Sequence, residues 1–287
     1  MNDIVEFPSP VSLESSEFGL RAVVHQEWNE KVANIIKQNS VLEIELNDGK
    51  GWRGDNIDFL VQFPDLRSLT IRKLNLKSVA AINSLTKLES LSLSTYCQTP
   101  ILFDRMGGLR HCEIEWRTGS ETLFDCLSLR TLTIIGLKLK ASNCFSKLQS
   151  LECLSILSSS IIELSGLRTL KKLKRLRLAN NRQLVSLCGI ESLDMLEDLD
   201  VNTCKKLTNI EPVKYLKRLQ RLQLNNLGTI DSLAPVQSLS SLEMITFYES
   251  TDVLDGQLTP LLDKPSLKTV SFKNRRHYTH CTDDFSR

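Results

Sequence analysis

The chain has 287 residues, 41% of them hydrophobic and 24% charged, and a net charge of +2. That composition excludes a disordered chain, and the charge balance gives no general attraction to nucleic acid or an anionic membrane surface. No window reaches the ~18 uninterrupted apolar residues that a membrane-spanning helix needs.

In chain order, the opening "MNDIVEFPSPVSLESSEFG" carries acids and prolines where a secretory signal has a basic start and an apolar core. The expected localisation is therefore cytoplasmic, where the eight cysteines remain thiols. "HQEWNEKVANIIKQN", from His25, reads as an amphipathic helix with Trp28, Val32, Ile35 and Ile36 on one face. "VLEIEL", from Val41, alternates like a strand and reads as an irregular first rung. "GWRGDN" contains the RGD triplet Arg53 to Asp55, which reads as a turn leading into "IDFL".

From Leu66 onward a pattern Lxx(L/I/C)x(L/I/V/F) recurs. It begins "LRSLTI" (Leu66), "LESLSL" (Leu88), "LRHCEI" (Leu109), "LRTLTI" (Leu129) and "LECLSI" (Leu151). It continues "LKRLRL" (Leu173), "LEDLDV" (Leu196), "LQRLQL" (Leu219), "LEMITF" (Leu242) and "LKTVSF" (Leu267). Starts lie 20 to 25 residues apart, a regularity that ten occurrences put beyond chance. In "LQRLQL" the alternation sends Leu222 and Leu224 inward and leaves Arg221 and Gln223 outward. One repeat cannot bury its leucines alone, so neighbours must cover them, each fully buried leucine contributing about 1.5–3 kcal/mol. After the strand, Asn181, Cys204, Tyr96 and Leu227 occupy the position that bonds the neighbouring backbone, so any asparagine ladder is broken. Cys112 replaces a core leucine, and Cys126, Cys144 and Cys188 read as small buried thiols.

These repeats resemble leucine-rich repeats, and "LTNIEPVKYLKRLQRLQLNN" is similar to internalin-type bacterial repeats. The resemblance implies an α/β repeat fold. The implied fold is a leucine-rich repeat solenoid, with a curved parallel sheet on its concave face and short helical or extended segments on the convex face. The implied organisation is an N-terminal cap over residues 1–62 (helix plus first rung), repeats over 63–272, and a C-terminal cap over 273–287.

Function in such an architecture is expected on the outward side chains of the strands. The candidate partner-binding residues are Glu113, Glu115, Trp116, Arg175, Arg177, Asp198, Asp200, Arg221, Gln223 and Tyr248. Adjacent strands are expected to set Arg175 beside Asp198 and Asp200, and these beside Arg221. Such a ladder is either a self-satisfied set of surface ion pairs, each worth about 0–1 kcal/mol, or a surface offered to a partner. About four outward positions on each of ten rungs exceed the 20–30 residues that one side of a standard interface uses.

The end of the chain, "SFKNRRHYTHCTDDFSR", holds His277 and His280 three apart beside Cys281, Asp283 and Asp284. It reads as a lid over the last rung. HxxH without a partner motif is weak support for a metal, there is no CxxC pair, and one short basic run is weak support for nucleic acid. The four histidines are scattered, and no GxSxG or phosphate loop occurs. No catalytic residue, cofactor or metal is therefore expected, and nucleic acid and membrane are disfavoured as partners. "GWRGDNIDFL", "TYC", "EWRTGSETLFDC", "STDVLDGQLTPLL" and "NRRHYTH" together resemble a group of bacterial leucine-rich repeat proteins that share this ending. Related repeat proteins are immunity partners of bacterial toxins. The resemblance implies a non-catalytic protein-binding module that neutralises a toxin or effector domain, with an intracellular scaffold or regulator that recruits an enzyme or peptide as the alternative.

Overall fold

A short strand with leucine at every second position buries one face and leaves the other to solvent. The computed structural model of the chain repeats that unit and describes residues 9–262 and 264–285. The first eight residues of the expected N-terminal cap and the last two of the C-terminal cap lie outside the described residues. The chain divides into two units, residues 1–129 and 130–287.

In the first unit the sheet begins with an antiparallel hairpin, β1 (Val11–Ser16) and β2 (Gly19–Val24), which the sequence reading did not anticipate. Its turn depends on Gly19, whose φ of 112° lies in the left-handed region that side chains disfavour. β2 then pairs in parallel with β3 (Glu43–Asn47), followed by β4 (Ser68–Arg72), β5 (Ser90–Ser94) and β6 (His111–Glu115). The helix α1 (Glu30–Gln38) is shorter than expected, because the Asn29 side chain accepts a hydrogen bond from the Val32 N–H and starts it there. Val32, Ala33 and Ile36 are its buried face. Trp28 precedes the helix and stacks on Phe59, with ring centroids 3.6 Å apart.

In the second unit β7 (Thr131–Ile135), β8 (Cys153–Leu157), β9 (Arg175–Ala179), β10 (Asp198–Asn202) and β11 (Arg221–Asn225) are successive rungs. A two-residue strand, β12 (Thr229–Ile230), precedes β13 (Met244–Phe247). A second short strand, β14 (Asp252–Val253), precedes β15 (Thr269–Phe272). The long strands pair in parallel in chain order, β11 with β13 and β13 with β15, while β12 and β14 form a separate two-stranded sheet. Register is strict: Leu176, Leu199 and Leu222 align, as do Leu178, Val201 and Leu224, and all six are buried. Return segments are short 3-10 turns, such as Asn143–Lys147, Glu211–Tyr215 and Ala234–Ser238.

The turns after β7, β8, β9, β10, β11 and β13 each carry a residue in the left-handed region. Gly136, Ser158, Asn180, Thr203, Asn226 and Glu249 all have positive φ. The first five donate their N–H to a carbonyl of the next rung, as Asn180 does to Asn202 at 3.0 Å and Ser158 to Ala179 at 2.8 Å. The bonding position just beyond is filled as expected at Asn181 and Cys204. Buried Asn181 donates to Ile156 O at 2.8 Å and accepts from the Ser159 N–H and hydroxyl at 2.8 and 2.7 Å. Cys204 Sγ lies 3.7 Å from Leu178 O. At the two other positions the ladder is broken, as expected. Tyr96 is 64% exposed, and the neighbouring Thr95 makes the bond to Leu74 O at 3.0 Å. Leu227 is plain core, and one rung later Thr251 bonds Leu224 O at 2.6 Å. One extra residue in the turn after β13 moves the bonding position to Thr251, whose hydroxyl fills it.

The end of the chain packs onto the last rungs. Phe272 stacks on Phe247 at 4.7 Å, with Tyr278 and Phe285 each 5.9 Å from the Phe272 ring. Tyr278 OH donates to Asp252 Oδ1 and accepts from the Val253 N–H, both at 3.0 Å. Gly256 is required here: a Cβ would meet His277 O at 2.3 Å.

Candidate partner-binding face

Among the described residues, the side chains opposite the leucines form a surface that successive strands build in register. On β8 to β11 the register aligns Cys153, Arg175, Asp198 and Arg221 in one row, and Ser155, Arg177, Asp200 and Gln223 in the next. Two ion pairs cross these rows. Arg221 Nε donates to Asp198 Oδ2 at 2.9 Å, and Arg177 Nε lies 3.2 Å from Asp200 Oδ2.

The pairing corrects one expectation. Arg175 stands opposite Asp198 in register, yet Arg221 takes that carboxylate, and Arg175 is exposed with no ion pair among the described residues. Three arginines meet two aspartates, so one cation is left over. A second group is also left over: Asp200 Oδ1 is buried without a hydrogen-bond partner. Burial raises the Asp200 carboxyl above the usual carboxylate range; the Arg177 guanidinium opposes that shift, and Asp198 adds to it. A cavity of about 200 Å³ opens among these side chains, lined by Cys153, Ser155, Arg175, Arg177, Asp200 and Gln223 among others.

Tyr248 follows the strand β13 with its ring half exposed, while its N–H is fixed by Asn225 Oδ1 at 2.9 Å. In the first unit Glu113 is exposed and Glu115 half-buried. They accept hydrogen bonds from Ser92 at 3.0 Å and Ser94 at 3.1 Å on the preceding strand. Trp116 is not a surface residue: it is 8% exposed, with its ring 5.6 Å from Phe124. The strand has ended by then, so the outward alternation no longer governs it.

Several features escaped the sequence reading. Arg117, next to Trp116, is 1% exposed, and neither Nη has a hydrogen-bond partner. Burial lowers its pKa. Cys188 is exposed, contrary to expectation, and helps to line a cavity of about 460 Å³ with Val185, Pro212 and Tyr215 on the return side of the second unit. Cys112, Cys126 and Cys204 are buried as expected, and burial pushes the Cys126 thiol up to about 12 and Cys204 to about 11. Cys144 is only partly covered.

A cavity of about 690 Å³ in the first unit lies beside the Trp28–Phe59 stack and is lined by Arg53, Asp55, Asp58 and Lys73 among others. Three of its charges are paired internally. Arg53 and Lys73 share Asp48 at 3.2 and 3.0 Å, and Asp55 pairs with Lys77 at 2.9 Å. The RGD triplet is thus tied down by its own neighbours.

His277 Nε2 contacts Val253 O at 3.0 Å and Asp252 Oδ1 at 3.3 Å, whereas His280 Nδ1 pairs with Thr279 Oγ1 at 2.9 Å. Arg275 reaches Asp252 at 3.1 Å and Thr251 O at 3.0 Å. Among the described residues no group of three or more His, Cys, Asp or Glu side chains is arranged to hold a metal ion, and no helix is long and apolar enough to cross a membrane.

No protein-family model matches the chain, and no curated protein matches it. Among solved structures, an internalin (inlF) from Listeria monocytogenes is similar over 81% of this chain and 74% of its own, at 18% identity and a TM-score of 0.63. A leucine-rich repeat protein from Leptospira interrogans matches over 87% of this chain and 72% of its own, at 18% identity and a TM-score of 0.58. The plant peptide hormone receptor RGFR1, in complex with RGF2, matches over 92% of this chain and 52% of its own, at 13% identity and a TM-score of 0.54. With the parallel ladder and 3-10 returns, these likenesses show that the chain adopts the leucine-rich repeat solenoid fold.

Proposed function

We propose that the protein is a non-catalytic, cytoplasmic binding module that holds a protein partner on the strand face of its second unit. In its most concrete form it is an immunity protein that neutralises a bacterial toxin by covering the toxin's active site. The observation that carries the reading is the strand face of β8 to β11. There an unpaired guanidinium and an unpartnered carboxylate oxygen stand on a backbone fixed by hydrogen bonds on both sides, with the exposed Tyr248 just after β13.

A preformed surface loses little conformational freedom when it binds, so polar groups on it are effective without catalysis. Arginine and tyrosine are also enriched among the residues that dominate interface energies. The plant receptor similar in fold is seen with RGF2 bound, which supports a binding role for the architecture. The toxin reading draws on the resemblance carried by the "NRRHYTH" ending and the early-repeat segments.

The test starts from a partner captured on the full chain and identified by mass spectrometry, with its affinity then measured for the purified pair. Reversing charge at Arg175, Arg177 and Arg221 together is expected to weaken binding about 100-fold or more while leaving the melting temperature within a few degrees. An unchanged affinity would move the site off this face. Co-expression with the captured partner tests the finer claim: an immunity role predicts relief of growth inhibition that the triple variant loses.

A further inference from the structure

We propose that the cavity on β8 to β11 is a carboxylate subsite, in which the Arg175 guanidinium receives a single carboxylate carried by the partner, from a free chain terminus or an acidic side chain. The inference rests on the strand-face reading above and adds the chemistry of the group that enters.

The argument is one of remainders. Arg221 is engaged by Asp198 at 2.9 Å and Arg177 by Asp200 at 3.2 Å, so Arg175 is the cation without an internal anion. Its planar fork of N–H donors matches a carboxylate with two parallel hydrogen bonds. Beside it, Asp200 Oδ1 is a buried acceptor with no donor. A carboxylate held on a peptide unit also brings a backbone N–H within a few bonds, a donor for the polar side chains that line the cavity. Ser155 and Gln223, which also line the cavity, have no side-chain hydrogen bond among the described residues and can serve either role.

Charge sets the valence of the guest. Asp198 and Asp200 stand on the strand beside Arg175, and like charges repel, so a dianion such as phosphate is disfavoured where a monoanion is accepted. Size agrees, because a volume of about 200 Å³ holds one such group with its peptide unit and no larger element.

The full chain is titrated with three small probes while the arginine side-chain N–H resonances are followed by NMR. The probes are acetyl-trialanine with a free carboxylate, the same peptide as its C-terminal amide, and the amide with aspartate at its centre. At least one carboxylate probe is expected to bind about tenfold more tightly than the neutral amide, shifting the Arg175 resonance. Arg175→Gln, at an exposed position, is expected to abolish the preference. A stronger response to the free terminus assigns the carboxylate to a chain end, and a stronger response to the aspartate probe assigns it to a side chain. Equal binding of all three, a preference that survives Arg175→Gln, or tighter binding of inorganic phosphate would each overturn the subsite. Because no partner is present, failure here with the partner still held on the strand face removes only the subsite. Bound probes with the partner seated elsewhere remove only the strand-face reading.

Discussion

The two units carry the same repeat but finish its strands differently. In the second unit β7, β8, β9, β10 and β11 are each followed directly by a residue with positive φ, β13 is so one residue later, and starts settle 22 or 23 residues apart for five successive rungs. Buried Asn181, Cys204 and Thr251 then bond the carbonyls of neighbouring rungs. In the first unit the spacing shrinks from 22 to 20, and no residue with positive φ follows β4, β5 or β6 directly. Thr95 still bonds its neighbour, but one rung later a buried arginine, Arg117, has no partner for its terminal nitrogens. The difference teaches that leucine spacing alone fixes the strands, whereas the turn behind them needs its own bonding residue. When the frame drifts, unsuitable side chains are drawn inside.

That contrast can be broken at matching places. The largest effect is expected in the regular unit: Asn181→Leu leaves Ile156 O and the Ser159 N–H without their partner and should cost about 3 kcal/mol in denaturant unfolding. The opposite sign is expected at Arg117. Arg117→Met keeps the apolar stem, removes an unpaired buried charge and should stabilise by about 1–2 kcal/mol; a loss of stability would show that the guanidinium is satisfied after all.

A third effect depends on pH. At Glu45 burial pushes the carboxyl up, but hydrogen bonds from Asn47 and Lys50 outweigh it and the net shift is down. A lowered acid contributes stability above its unfolded pKa and loses it as pH falls through the folded value. Asp200 is shifted up, so its ionised form is a burden near neutral pH that acid relieves. Between about pH 5 and pH 3, amide exchange around β3 should accelerate, an effect that Glu45→Gln diminishes, while Asp200→Asn should stabilise the second unit near pH 7 and not at pH 3. The smallest effect is a refinement of the turn. Glu249→Gly, at φ 59°, should gain about 0.5–1 kcal/mol by relieving a left-handed side chain.

The repeat was legible because period-2 burial writes itself into the leucines: the outward assignment of Arg175, Arg177, Asp198, Asp200, Arg221 and Gln223 follows from alternation and is what the strands display. What alternation does not encode is competition. Arg175 and Arg221 flank the same Asp198, and only side-chain geometry decides which of them takes it. Trp116 and Arg117 escaped for a related reason, since both follow the last strand residue of β6, where direction is set by the turn. The β1–β2 hairpin left a faint sign in Gly19 between two short apolar runs, in a stretch whose leucine frame had not yet begun.

A stack of parallel strands is in principle an open polymer, ready to accept another rung at either rim. The reversed direction of β1 changes that rim: a strand arriving there in the direction of the rungs would pair with it antiparallel, along six residues that include an ion-paired Glu14. Rung-on-rung concatenation in the parallel register is thereby interrupted at this edge by one tight turn.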